Sequence, residues 1–196
     1  MVLLTAVLAG TLTGLGYARL KGSTWHPPVF RSAWLVILGF LPQWLAFYLL
    51  YTRRLLPDQI AAASLVCSQL ILLVFVIVNF RLPGMFLLGV GFVCNLAVIL
   101  ANGGFMPLTV DAATRLVDPS VFNRLTIGER ISSASKDVLL PQSRIVLPWL
   151  ADRFIPPKFI PYRFAFSLGD VFIAAGAFWL LVDGKTTISA TDSGDF

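Results

Sequence analysis

The feature that most constrains this chain is a set of five apolar stretches, at 2–20, 33–51, 60–80, 84–101 and 166–182. Each is close to the length a helix needs to cross a bilayer, because a hydrocarbon core of about 30 Å takes about 20 residues at 1.5 Å each. Charge bounds the stretches at Arg19, Lys21, Arg31, Arg53, Arg54, Arg81, Arg163, Asp183 and Lys185. Tyr17, Trp25, Trp34, Tyr48, Tyr51 and Tyr162 stand near their ends, where amphipathic rings settle at headgroup level. Only 13% of the 196 residues are charged and 57% are apolar. An average soluble domain is roughly one-quarter charged, so this chain has too few polar side chains to coat a soluble surface. The same counts exclude intrinsic disorder. Two cysteines exclude a disulfide scaffold, and the single histidine, His26, excludes a polyhistidine metal site.

The expected fold is therefore all-α: a polytopic membrane helix bundle of about five transmembrane helices, with an amphipathic or re-entrant segment before the last. It divides into a four-span unit (1–101), a long interfacial loop with short amphipathic helices (102–163), a fifth transmembrane helix (164–183) and a mobile tail (184–196). The first stretch lacks the basic residues that precede a signal peptide core, and Arg19 and Lys21 follow it instead. It reads as a retained span with its N-terminus outside, in a bacterial cytoplasmic membrane. The net charge of +5 suits anchoring to anionic lipid. No basic run or aromatic-interleaved patch suggests nucleic acid. No cofactor or metal motif is present: Gly14-Leu15-Gly16 lacks the third glycine of a dinucleotide fingerprint, and there is no Walker A, HExxH or CxxC. Cys67 and Cys94 fall near mid-span and read as small buried hydrophobes. Gly10 and Gly14 form a GxxxG, which packs helices closely within a chain or between chains. Expected partners are the bilayer and, through these glycines, other membrane proteins or a second copy.

The loop carries its own signals. Thr109 can cap a short helix with Val110, Ala113, Leu116 and Val117 on one face and an Asp111–Arg115 pair at i,i+4. Asp118-Pro119 reads as the cap and first position of another turn. The apolar run 145–155 is too short to span and is interrupted by Pro148. It reads as interfacial or re-entrant.

Polar residues inside spans are costly and need partners. Asn95 and Asn102 lie on one face of the fourth stretch, and Gln43 and Gln69 sit within the second and third. Asn102-Gly103-Gly104 reads as a helix C-cap, or as a backbone nest that holds a polar head or oxyanion. Ser167 three residues before Asp170 is a capping box. The alternative pairs Asp170 with Asp152 as two carboxylates sharing one proton, with Asp152 otherwise paired to Arg153.

On these residues the chain resembles a bacterial family of small multi-pass membrane proteins known only as a domain of unknown function. The resemblance rests on Gln43, the Asn102-Gly103-Gly104-x-Met106-Pro107 box, Leu150-x-Asp152, and Ser167-x-Gly169-Asp170 with Gly176. It implies architecture and no activity. Residues 150–181 also resemble the last third of lipoprotein signal peptidases, which would make Asp152 and Asp170 a catalytic dyad. Ser167 and Gly169 depart from that family's Asn and Ala, and its upstream Gly-Asn-x-x-Asp-Arg box is absent. Three readings follow. The first is a non-catalytic membrane component or lipid-interacting element. The second is an aspartate-dyad hydrolase, with Asn102 or nearby amides orienting the substrate. The third is a small transporter with Asn95, Gln69 and Asp170 along a polar path.

Overall fold

The computed structural model describes residues 1–157 and 163–184, with the backbone of 186–187. The chain runs α1 (Val2–Leu20), β1 (Thr24–Trp25), α2 (Trp34–Gln43), α3 (Thr52–Leu55), α4 (Asp58–Val78), α5 (Met85–Ala101), β2 (Met106–Thr109), α6 (Val110–Leu116), α7 (Pro119–Phe122), β3 (Asp137–Leu140), α8 (Leu168–Val182) and β4 (Thr186–Thr187). Pro42 lies inside α2 and has no N–H for the helical ladder. The helix continues past it as a wider π-helical turn, Trp44–Tyr48.

The five long helices pack in the spatial order α1, α8, α5, α4, α2. α1 runs parallel to α8, with Gly10 against Phe178 and Gly14 against Leu181. α5 runs antiparallel to α8, with Gly91 against Gly169 and Gly84 against Gly176. α4 and α2 are antiparallel, held where Gln43 Nε2 donates to Ser68 Oγ at 2.5 Å and Ser68 donates to Gly39 O. Large apolar side chains point outward along the bundle, among them Leu4, Leu8 and Leu12 on α1, Ile37 and Phe40 on α2, and Trp179 on α8. By length and composition α1 and α4 are long and apolar enough to cross a membrane, while the other three apolar helices are shorter.

The structure takes the within-chain alternative for Gly10 and Gly14. A methyl at Gly14 would stand 2.6 Å from the Trp25 indole nitrogen and 2.7 Å from Leu181 O. That indole donates to Leu181 O at 2.9 Å, so both glycines are spent on seating α8 and the Trp25 loop. Cys67 faces outward and Cys94 is half-buried, so the buried-thiol expectation fails for Cys67.

Residues 102–157 form a cap on the end of the bundle that holds Met1, the end of α5 and the start of α8. The short helices lie where their signals place them. Thr109 caps α6 by accepting from Ala112 N at 3.1 Å, and Arg115 pairs with Asp111 at 3.1 Å. Asp118 precedes α7 with proline in its first turn. The 145–155 segment is not a helix. It runs as turns, and Asp152 joins β2 through a parallel bridge to Leu108. The parallel pairing of β2 with β3 was not legible, because strands of four residues carry too little periodicity. The tail beyond 187 and Tyr162 lie outside the described residues.

Candidate functional site

Asp152 is where the cap meets the bundle. Its backbone N donates to Pro107 O at 3.1 Å, which draws it into the sheet, and its side chain is only 1% exposed. Oδ2 lies 2.6 Å from Lys136 Nζ. Oδ1 is buried with no hydrogen-bond partner. Lys136 also lies 3.0 Å from Asp137 Oδ1, and its side chain is 39% exposed, so it links a buried acid to water. Burial pushes the Asp152 carboxyl up to about 7, with Lys136 opposing and Asp137 and Asp170 adding to the rise. Burial works against the Lys136 ammonium, but Asp137, Asp152 and Asp170 outweigh it and hold the lysine above its usual range.

Asp170 is partnered differently. Ser167 accepts from Asp170 N at 3.0 Å, and Asp170 Oδ2 accepts from Ser167 N at 3.0 Å, which completes the capping box. Oδ1 accepts from Asn95 Nδ2 at 3.0 Å. Ser167 Oγ donates to Asn95 Oδ1 at 2.8 Å. The three residues form a closed ring between α5 and α8, completed through the backbone amides of Ser167 and Asp170, that the glycines make possible. A methyl on Gly169 would overlap Asn95 Oδ1 and stand 2.9 Å from Gly91 O.

The two aspartates are thus near enough for Asp170 to act electrostatically on Asp152, yet their carboxyl groups are held by different partners. Asp152 pairs with Lys136 and not with Arg153, which lies over the Phe154 ring at 5.8 Å. Asn102 is committed to structure. Its Nδ2 donates to Val98 O at 2.7 Å and Val146 O at 2.8 Å, and its Oδ1 accepts from Val146 N at 2.9 Å. Gly103 and Gly104 have φ of 80° and 89°. The amides of Asn102 and Gly104 both return to Ile99 O. This is the helix C-cap, and those amides are not free to form a nest. Asn95 is 5% exposed and filled around by Gly169 and Ser167, which leaves no room there for a polar path.

Sequence reasoning missed Lys136. It sits in a polar run, Ser132-Ser133-Ala134-Ser135-Lys136, with nothing to single it out. Arg130 was missed too. Its side chain is 9% exposed, its Nε lies 3.0 Å from Asp58 Oδ1, and it stacks near Phe47 and Phe105. It fastens the cap to α4. The small-residue pairs Gly84 and Gly91 were also missed. Their spacing of seven residues, matched by Gly169 and Gly176, was the available signal.

A cavity of about 320 Å³ opens beside Lys136, with Ser135, Asp137, Gln43, Phe47 and Tyr48 in its lining. Chemically the cluster holds the Asp137 and Asp152 carboxylates against one ammonium in a poorly solvated place, so it can keep a proton on Asp152. Among the described residues no group of three or more His, Cys, Asp or Glu side chains is placed to hold a metal ion.

The sequence profile of DUF5317, described as a family of unknown function, matches residues 28–182. The chain belongs to DUF5317. The match takes in α2 to α8, and with them the cap, Lys136, Asp152 and Asp170. The unknown-function family of the resemblance is thereby met at that level. No curated protein and no solved structure matches the chain.

Proposed function

We propose that this DUF5317 protein is an integral membrane protein whose five long apolar helices cross the bilayer, and that it serves as a non-catalytic component of a membrane assembly. The observation that carries the reading is that the long helices are apolar on their outer faces as well as in their contacts. Leu, Ile, Phe and Trp face outward, while the contacts hold apolar clusters such as Leu65, Met85 and Ile173 together with Gly, Ser68 and Asn95. Such packing needs an apolar solvent. α8 has 15 residues, about 22 Å of helix, and local thinning of the bilayer meets the shortfall against a core of about 30 Å. The non-catalytic part rests on the partners of Asp170, both of whose oxygens serve the capping box and Asn95.

The test is carbonate extraction of membranes, followed by reporter fusions. The chain should stay with the membrane. Fusions in the cap and at the N-terminus should report one side, and fusions at 22–32 and 80–83 the other. Extraction by carbonate, or opposite sides for cap and N-terminus, would defeat the reading.

One observation favours a hydrolase as second reading. Asp152 keeps a buried, unpartnered oxygen and holds its proton near neutral pH, as an acid of an aspartate pair would. That reading predicts loss of cellular function in both Asp152→Asn and Asp170→Asn. Equal function in both variants sinks it.

A further inference from the structure

The bundle end opposite the cap has a second polar construction that the proposed function does not use. Asn79 closes α4 and is only 4% exposed. Its Oδ1 accepts from Arg31 N at 2.7 Å, and its Nδ2 donates to Arg31 O at 2.9 Å and Phe75 O at 2.9 Å. The buried amide therefore pairs with a backbone 48 residues away as a strand would. It pins the loop before α2 against the turn after α4.

The clasp brings Arg31 and Arg81 onto one cavity of about 480 Å³, with Val29, Ile77 and Phe80 as apolar wall. Both arginines are exposed. No acidic residue lines the cavity, and neither guanidinium joins an ion pair among the described residues. Two cations held beside an apolar wall repel each other unless an anion sits with them. Guanidinium forks match the oxygens of a phosphodiester, and the apolar wall suits the chain attached to it.

We infer that this cavity binds the headgroup phosphate of an anionic phospholipid, with Arg31 and Arg81 as its ligands. The inference rests on the membrane reading, since it places the cavity at the bilayer interface, and it names what that interface recognises. It is distinct from general attraction to an anionic surface, because a buried asparagine pins the Arg31 backbone against the turn that carries Arg81.

The experiment uses the full chain in neutral detergent, titrated with phosphatidylglycerol, phosphatidylcholine or inorganic phosphate, with binding read by native mass spectrometry and by shift in Tm. Phosphatidylglycerol should bind and stabilise, and the other two should not. Arg31→Gln/Arg81→Gln should weaken phosphatidylglycerol binding by about 25-fold, from roughly fivefold per interfacial cation. Arg31→Lys/Arg81→Lys, which keeps charge without the fork, should recover part of it. Arg53→Gln/Arg54→Gln, at the cap end, should bind as the parent does. Equal binding of the two lipids, retained binding in the Gln pair, or a phosphate effect equal to that of the lipid would overturn the inference. A chain that stays in membranes on carbonate treatment but fails these tests loses only this inference, not the membrane reading.

Discussion

Gly169→Ala is the most informative single change, because it loads the contact on which the Asn95–Ser167–Asp170 ring depends. The added methyl would overlap Asn95 Oδ1, stand 2.7 Å from Asn95 Cγ and 2.9 Å from Gly91 O. Gly91 O is backbone and cannot turn aside, so either the helices part or Asn95 rotates away. Rotation gives up the Asn95 bond to the Asp170 carboxylate and the Ser167 bond to Asn95. The first is worth about 1.5–3 kcal/mol and the second about 1 kcal/mol. Parting the helices costs about 1–3 kcal/mol as overpacking. The cheaper of the two responses sets the loss, so about 2–3 kcal/mol is expected, or roughly 5–10 °C in Tm for a chain of this size. The assay is thermal unfolding of the full chain in detergent. Gly16→Ala is the control, since nothing lies within 4 Å of its added methyl. Asn95→Ala/Gly169→Ala should cost less than the sum of its parts by about 1–2 kcal/mol, because the first change clears space for the second. A Tm within 2 °C of the parent for Gly169→Ala, on the order of 1 kcal/mol or less, would refute the close-packed ring. Strict additivity in the double variant would refute the contact with Asn95.

Three more outcomes follow from the cap. Asp152 holds its proton more tightly folded (about 7) than in its ordinary state (3.8), so its contribution is full below about pH 4 and is lost as pH rises through about 7. The parent Tm should therefore fall between pH 5 and 8 more steeply than that of Asp152→Asn, and parallel curves would count against a proton-holding Asp152. Lys136→Met removes the cation at 2.6 Å from a fully buried acid. Allowing for the lysine's 39% exposure, it should cost about 2–3 kcal/mol at pH 8; less at pH 6, and adding Asp152→Asn should recover most of it. Arg130→Gln breaks the tie to Asp58 and the stacking on Phe47 and Phe105. It should cost about 2 kcal/mol and speed proteolysis within 123–135.

Helix positions were legible in the sequence because helices that are apolar on every face write long uniform runs. α1 and α5 lie within a residue of the stretches read for them, and Thr109, Asp118 and Ser167 mark helix starts through capping chemistry that acts over three residues. Asn102 was also legible as a polar residue in need of a partner, but its partner Val146 was not. The limits of the 145–155 segment have the same origin. Its apolar residues could serve a helix or an extended chain equally, and only the open edge of β2 at Leu108 selects the second.

By itself, then, the sequence determined the helices and their caps, because these depend on composition and on contacts within one or two turns. Tertiary structure alone decided which carboxylate meets which cation. Lys136 and Asp152 are 16 residues apart, Asn95 and Asp170 are 75 apart, and Arg31 meets Asn79 across 48. Nothing local encodes such pairs. They arise where glycines let α5 and α8 approach, and where the parallel strands draw Asp152 out of water and against the Lys136 ammonium.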